Sequence, residues 1–225
     1  MDNLREIHKD IYCNNLIGSL MYYDQLIEKE SYHLTFLSES NRYFYNAAHS
    51  IEVASRDVVD EIEDFYVKQG IIPSFYMDPR TPKELQKTLV LRNYQKEPAQ
   101  AEHWYQFNLA NSIVNPITLL KTPQEQIRIE KIDPWDSLFL DFVQINQLMN
   151  GLTPILASKL IHNCRRKVIP GVENHYFIVL SDASLISIGS VGIVGKKAFF
   201  AEGATLPEYQ RKGIYSFLLR EELPC

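Results

Sequence analysis

The sequence lacks an excess of positive charge, a cysteine pattern and a long hydrophobic run, and each absence excludes a class of protein. The net charge is −5, with 23 lysines and arginines against 28 aspartates and glutamates. A general nucleic-acid binder needs a basic face, so none is expected here. The three cysteines, Cys13, Cys164 and Cys225, form no CxxC or Cys/His metal spacing. Their odd number favours a reducing cytoplasm over a disulfide scaffold, and no metal site is predicted.

The membrane is excluded on similar grounds. No stretch approaches the roughly 18 apolar residues that a membrane span requires. The first residues, MDNLREIHKDIY, mix both charges and contain no apolar segment of the signal-peptide kind. Apolar residues make up 45% of the chain, which is ordinary for a globular protein with a real core. We therefore expect a cytoplasmic protein with one large domain or two small ones.

The first predicted part, residues 1–115, alternates helices and strands. Ser55 is a candidate N-cap, and Thr81 with Glu84 forms a candidate capping box. The pattern predicts a helix over 4–30, a strand over 42–51, a helix over 56–69, a strand over 72–77, a helix over 81–92 and a strand over 103–109. Residues 110–125 contain two prolines and no clear period, which is typical of a linker.

The second predicted part, residues 126–225, begins with a strand over 126–132. Two helices follow, one opened by Asp133-Pro134 and one by Thr153-Pro154. Three strands come next, over 175–180, 185–194 and 197–206, with short turns that predict an antiparallel meander. A last helix begins near Gly213. The predicted fold is α/β in composition (α+β), with a mixed, largely antiparallel sheet flanked by helices and preceded by a smaller α/β part.

The most informative segment is the turn between the last strand and the last helix. Free backbone N–H groups at a helix start attract anions, and Gly213 removes a side chain where a phosphate must approach. Arg211 and Lys212 add positive charge to an otherwise acidic protein. The segment therefore predicts a phosphate site, and the alternative is a solvated turn with two surface cations.

The loop also resembles a known family. Gln210-Arg211-Lys212-Gly213-Ile214-Tyr215 is similar to the Q/R-x-x-G-x-G/A pyrophosphate loop of the GNAT superfamily of acyl-CoA N-acyltransferases, and the order of helices, meander, loop and helix matches too. Tyr215 departs from the family's usual Gly or Ala. The resemblance implies an acetyl-CoA co-substrate, no metal, a loop that binds the CoA pyrophosphate and a preceding strand end that binds the pantetheine arm. Carried over by position, the cofactor-binding residues are Thr205, Leu206, Gln210, Arg211, Lys212, Gly213, Ile214, Tyr215 and Ser216.

The resemblance also suggests a catalytic residue and an acceptor. Glu202 lies on the strand before the loop, where some members of the family carry a general base. The alternative is a surface-facing strand glutamate. The implied acceptor is a primary amine, on a small molecule or a peptide. The first part resembles the degenerate half-domain that precedes the catalytic domain in some GNAT proteins, and we expect it to pack on the second part and shape the acceptor pocket.

A complete family domain continues past the loop helix with a strand, a helix and two further strands, and the missing helix usually supplies a tyrosine general acid. Only residues 217–225 follow here. We therefore expect a C-terminally incomplete domain whose 197–206 strand has an exposed edge, which favours association with itself or a partner. Turnover by this chain is in doubt. Two alternatives stay open: a non-catalytic CoA-binding or regulatory protein, and an interaction module that binds no nucleotide.

Overall fold

A computed structural model gives the fold and describes residues 2–40, 45–78, 80–96, 127–214 and residue 218, with side chains from residue 9 onwards. The described residues form five α-helices and two antiparallel sheets, which confirms the α+β class. The elements in chain order are α1 Asp2–Met21, β1 Gln25–Glu28, β2 His33–Phe36, β3 Ala48–His49, α2 Arg56–Lys68, α3 Lys83–Leu91, β4 Ile127–Ile132, α4 Leu138–Asn150, α5 Pro154–Arg166, β5 Val172–Ser181, β6 Ser184–Val194 and β7 Lys197–Thr205.

The smaller sheet has the strand order β1-β2-β3. Its core contains side chains from β2, α2 and α3, among them Leu34, Val59, Ile62, Tyr66 and Leu85, each at most 2% exposed. The predicted N-cap of α2 is confirmed, because the Ser55 hydroxyl accepts a hydrogen bond from the Val58 N–H at 3.2 Å. The local hydrogen-bonding capacity of a cap residue therefore fixed this helix start.

The helix predicted over 4–30 is wrong in its second half. α1 ends at Met21, and the Asp24 N–H already donates to the Phe36 carbonyl at the start of the β1–β2 hairpin. The end of α1 is held by contacts distant in sequence. The ammonium of Lys167 donates to the carbonyls of Ser19, at 2.9 Å, and of Tyr23. A spacing rule within one segment cannot detect a lysine that follows the last residue of α5.

Other predictions in the first part also need correction. The capping box does not form: Pro82 is the N-cap of α3, and the Thr81 hydroxyl accepts from the Asp78 N–H at 3.0 Å instead. The strand predicted over 72–77 reduces to an isolated bridge between Phe75 and Ala48. Of the strand predicted over 42–51, the described residues form only β3. The strand over 103–109 and the linker over 110–125 lie outside the described residues.

The larger sheet has the order β4-β5-β6-β7, all antiparallel, which confirms the predicted meander. Two predicted helix signals are confirmed: Gly151 is left-handed (φ 68°) after α4, and the Thr153 hydroxyl accepts from the Leu156 N–H at 3.3 Å to cap α5. The start predicted at Asp133-Pro134 is wrong, because residues 134–137 form turns and α4 begins at Leu138. One face of the sheet packs on α1, α4 and α5. The opposite face packs on Ile214 and Leu218, which are buried and helical.

α1 shares the core of the larger sheet. Ile17 and Met21 are each 1% exposed and pack with residues of α4, α5 and β5. Ile17 lies directly over Gly192 of β6, where an added Cβ would collide with its side chain. The ammonium of Lys159 on α5 pairs with the carboxylates of Asp24 and Glu39. The two regions are thus joined by apolar packing and by ion pairs, while the boundary predicted between 115 and 126 lies outside the described residues.

Candidate functional site

A β-bulge interrupts β7 at Glu202 and Gly203. Ser190 pairs with Ala201 and Ile188 pairs with Ala204, so two residues of β7 face the single residue between those partners on β6. Glu202 has a left-handed backbone (φ 50°), a conformation that costs a non-glycine residue about 1–2 kcal/mol. The surrounding sheet sustains this strain, and the bulge turns the Glu202 side chain toward α4.

The Glu202 carboxylate is partly buried and hydrogen-bonded from two regions of the chain. The Asn146 amide on α4 donates to its Oε2, and Tyr22 lines the same pocket with its hydroxyl close enough to influence the pKa of the carboxylate. The Asn150 amide donates to Asn146 Oδ1 at 2.9 Å, which fixes the orientation of the Asn146 amide. Burial raises the pKa of Glu202 above its ordinary value, while the two hydrogen bonds oppose that rise. A carboxylate of this kind suits proton abstraction at neutral pH.

Two pockets adjoin at the bulge. The carboxylate pocket, of about 330 Å³, is lined by Tyr22, Tyr45, Asn146, Asn150, Gly151, Leu152, Glu202 and Gly203. The loop-side pocket, of about 310 Å³, is lined by Met149, Asn150, Gly203, Ala204, Thr205 and Gln210. Because both pockets include Asn150 and Gly203, they lie side by side between the loop after β7 and the carboxylate.

The loop after β7 begins with a 3-10 turn, Pro207–Tyr209. Arg211 and Gly213 both have left-handed backbones, with φ of 61° and 79°. Gln210 and Arg211 lie in a hydrogen-bonded turn, and the N–H groups of Arg211 and Gly213 donate to no backbone carbonyl of the described residues. N–H groups next to left-handed residues can form an anion-binding concavity. Two such N–H groups lie in the loop where the sequence predicted a phosphate site.

The remaining predicted cofactor-binding residues lie in several environments. The Gln210 amide donates to the Thr205 carbonyl at 2.9 Å and ties the loop to the strand end. The Leu206 N–H donates to the Ile186 carbonyl and its own carbonyl accepts from the Tyr209 N–H, so Leu206 has no free N–H for a ligand. The Lys212 ammonium lies over the Tyr209 ring. Ile214 is buried, and Tyr215 and Ser216 lie outside the described residues.

Cys164 lies near the carboxylate but is not a nucleophile. The Tyr176 hydroxyl donates to its Sγ at 2.8 Å, and burial raises the pKa of the thiol to about 12. The thiol is therefore protonated at neutral pH, and nucleophilic catalysis needs the thiolate.

The described part of the chain contains no cluster of three or more histidine, cysteine, aspartate or glutamate side chains with metal-binding geometry. None of the helices in the same residues has the length and apolar character to cross a membrane.

Sequence reasoning found Glu202 and the loop but missed Tyr22, Asn146 and Tyr45. These side chains come from three other segments, and no local motif links them to β7. One signal was available for the bulge. Gly203 lies inside a predicted strand directly after the glutamate, and an isolated glycine in a strand often marks a bulge or a close backbone approach.

Comparison with known proteins gives no match to a family model and none to a curated protein. A tandem GNAT protein from the clavulanic acid biosynthesis pathway, solved without acetyl-CoA, is 13% identical over 43% of this chain and 31% of its own, with a TM-score of 0.36. A predicted acetyltransferase from Clostridium acetobutylicum, solved with acetyl-CoA, is 16% identical over 43% of this chain and 70% of its own, with a TM-score of 0.35. TM-scores this low do not establish a shared fold.

A third solved structure is similar over most of the chain. It is a functionally unknown conserved protein from Staphylococcus epidermidis ATCC 12228, with a TM-score of 0.50 over 88% of this chain and 79% of its own. The identity is 10%, so the likeness shows a related fold and nothing about activity. Any functional conclusion must therefore come from the site itself.

Proposed function

We propose that this chain is a GNAT-type N-acetyltransferase, which moves an acetyl group from acetyl-CoA to a primary amine. The observation that carries the proposal is the position of two neighbouring pockets between the loop after β7 and the carboxylate of Glu202. Acyl transfer from CoA to an amine needs a phosphate site, a channel for the pantetheine arm and a base, placed one after another along the bound CoA. The resemblance of the loop to the family's pyrophosphate loop supports the same assignment.

The residues present fit acetyl-CoA. The N–H groups of Arg211 and Gly213, with the exposed Arg211 guanidinium, would hold the pyrophosphate. The loop-side pocket beside Thr205 would take the end of the pantetheine arm. This arrangement would bring the thioester to Gly203, next to the carboxylate pocket, where the acceptor amine would bind.

Acetyl-CoA supplies the electrophilic thioester carbonyl and the thiol leaving group. Glu202 takes one proton from the acceptor ammonium, and the neutral amine then forms the C–N bond as the C–S bond breaks. A second proton from the nitrogen ends on the CoA sulfur, so the products are an amide and free thiol. The raised pKa of Glu202 makes it a stronger base than an exposed carboxylate. Of the described residues that line the carboxylate pocket, only Glu202 carries a charge, which favours a cationic acceptor.

Two measurements test the proposal. In calorimetric titration with CoA, Gly213→Asp should abolish binding, because it places a bulky negative group where phosphate must approach a left-handed backbone. In an assay of thiol release from acetyl-CoA over a panel of primary amines, Glu202→Gln should lower the rate about 10²–10⁴-fold. Its CoA affinity should stay at the wild-type value.

Glu173→Gln, an exposed carboxylate on β5, is the matched control for the second measurement and should leave the rate unchanged. A wild-type chain that binds no CoA would refute the proposal. A chain that binds CoA but releases no thiol with any amine would instead be the non-catalytic CoA-binding protein of the alternative.

A further inference from the structure

We propose that Tyr22 is a positioning residue for Glu202, so that the first part of the chain supplies a component of the candidate catalytic centre. The inference rests on the proposed function only for the role that it gives to Glu202. Its structural basis is that Tyr22, at the end of α1, and Asn146, on α4, line one pocket with the carboxylate on the bulge of β7, to which the Asn146 amide donates.

The Tyr22 side chain is held in place by its surroundings. It follows the last residue of α1, its N–H donates to the Gly18 carbonyl at 2.7 Å, and the residue is only 7% exposed. The flanking backbone is tied to α5, since the Asn163 amide donates to the Met21 carbonyl at 3.2 Å and the Lys167 ammonium donates to the Tyr23 carbonyl. The Tyr45 ring packs against the Tyr22 ring, with 6.0 Å between centroids. Little freedom remains for the hydroxyl that reaches Glu202.

The two donors act on the carboxylate in the same way. A hydrogen bond to the charged form favours that form, so Tyr22 and Asn146 both lower the pKa of Glu202 against the effect of burial. They also fix its orientation in the wall of the carboxylate pocket. Without the Tyr22 hydroxyl the carboxylate would be protonated over a wider pH range and would be held by one donor only.

The other groups around Glu202 do not replace this donor. The titratable groups of the described residues that face it are the phenols of Tyr22 and Tyr45, the Cys164 thiol on α5 and the Tyr176 phenol on β5. Burial raises the pKa of Tyr22, Cys164 and Tyr176, so these three groups are uncharged at neutral pH. The amide of Asn150 is used on Asn146.

The test is a carbon-13 NMR titration of glutamate side-chain carboxyls in the full chain, with the Glu202 signal assigned by its loss in Glu202→Gln. Tyr22→Phe keeps the ring and removes the hydroxyl. The Glu202 titration midpoint should rise by about 1 pH unit, because a hydrogen bond to a charged group is lost. A side chain that only fills space would leave the midpoint unchanged, and a hydroxyl whose loss only loosened the site would let in water and lower the midpoint. Either result would overturn the inference.

Tyr45→Phe is the matched control. Tyr45 lines the same pocket, but the hydrogen bonds on Glu202 come from Asn146 and Tyr22, so the midpoint should not move. A shift equal to that of Tyr22→Phe would overturn the inference. A second measurement needs no variant: the Tyr22 Cζ signal of the wild-type chain should change with the same midpoint as Glu202, because protonation removes its acceptor. A Tyr22 signal that does not change during the Glu202 titration would also count against the inference.

The titration separates this inference from the proposed function, since it requires no turnover. A chain without acetyl transfer but with the expected midpoint shift would refute the function and keep the role of Tyr22 in holding the carboxylate. A chain that transfers acetyl groups with an unshifted midpoint in Tyr22→Phe would do the reverse.

Discussion

The two sheets bury polar groups in different ways. Within the smaller sheet, His49 stacks on His33 with 5.1 Å between ring centroids, and burial lowers the pKa of His49 to about 3. Within the larger sheet, Glu202 is partly buried on a bulge and lines an open pocket. Burial keeps both groups closer to their uncharged forms, but His49 is only 6% exposed, whereas Glu202 faces a space that a ligand can enter. Reactivity therefore depends on access to a pocket, and a shifted pKa alone does not indicate it.

The strand pairing is also more regular in the smaller sheet than in the larger one. β1 and β2 pair over four residues without a register shift, whereas β6 and β7 pair over nearly their whole lengths with a bulge. Four predictions test how far this contrast between the two regions extends, and they are ordered by the size of the expected effect.

The largest effect is expected from Phe142→Ala in the larger core. Phe142 is fully buried, with its ring 5.5 Å from that of Phe139 and 5.5 Å from that of Tyr176. The cavity should lower the free energy of unfolding by about 3–5 kcal/mol, measured by denaturant titration. Ile62→Ala, its counterpart in the smaller core, should cost about 2–4 kcal/mol. A loss below about 1 kcal/mol in Phe142→Ala would contradict the assigned core.

A smaller effect is expected where α1 meets the larger sheet. Gly192→Ala should lower the free energy of unfolding by about 1–3 kcal/mol, because the new methyl group collides with Ile17. The double variant with Ile17→Ala should be more stable than the sum of the two single losses predicts, since the smaller side chain relieves the collision. Strict additivity in this cycle would mean that α1 does not pack on β6.

The loop provides a comparison between two neighbouring cations. Arg211 is exposed, whereas the Lys212 ammonium lies 4.9 Å from the centre of the Tyr209 ring. Arg211→Ala should weaken CoA binding by about 1–2 kcal/mol, and Lys212→Ala by less, because a stacked ammonium is already engaged. Calorimetry measures both. Equal affinities for wild type and both variants would remove the loop from the phosphate site.

The smallest effect is expected from Lys159→Gln, which removes an ion pair between the regions. The Lys159 ammonium holds the pKa of Glu39 below its ordinary value and is one of several hydrogen-bond donors that do the same for Asp24. Carboxyls with depressed pKa values add stability above their unfolded-state pKa, and that stability is lost as the pH falls through the folded-state pKa. The variant should lose roughly 1 kcal/mol at pH 7. Its deficit should shrink below about pH 4.5, where the unfolded glutamate protonates.

Denaturant titrations of wild type and Lys159→Gln at pH 7 and pH 3 measure this convergence. Lys29→Gln is the control for the connection between the regions. It also removes an ion pair, but its partner Glu61 lies with it in the first part. A deficit for Lys159→Gln that is the same at both pH values would mean that the carboxylates do not carry the effect.

The elements predicted correctly were those with local causes. Ser55 and Thr153 each accept a hydrogen bond from a backbone N–H three residues further on, and short turns join β5, β6 and β7. Such signals lie within a few residues of the structure that they specify. The capping box at Thr81 failed because Asp78 offered its N–H to the same hydroxyl.

The candidate site was predictable only in part, because it is assembled from distant segments. Glu202 and the loop belong to one stretch of chain and could be found from spacing and resemblance. Tyr22 and Asn146 reach the carboxylate from α1 and α4, and the end of α1 is set by a lysine 144 residues away from Tyr23. Neither contact leaves a trace in local periodicity, so tertiary packing had to be known first.

The bulge of β7 also gives a rule for comparing related chains. Phe199 and Ala204 pack on the same core although they are five residues apart, an odd separation that an uninterrupted strand would place on opposite faces. One inserted residue has thus reversed the in–out alternation between the two ends of the strand. A relative that lacks one residue between the Gly195-Lys196 turn and Pro207 would keep an even ladder and lose the inward carboxylate. The length of this segment, counted in an alignment, therefore distinguishes relatives that retain the site from relatives that retain only the sheet.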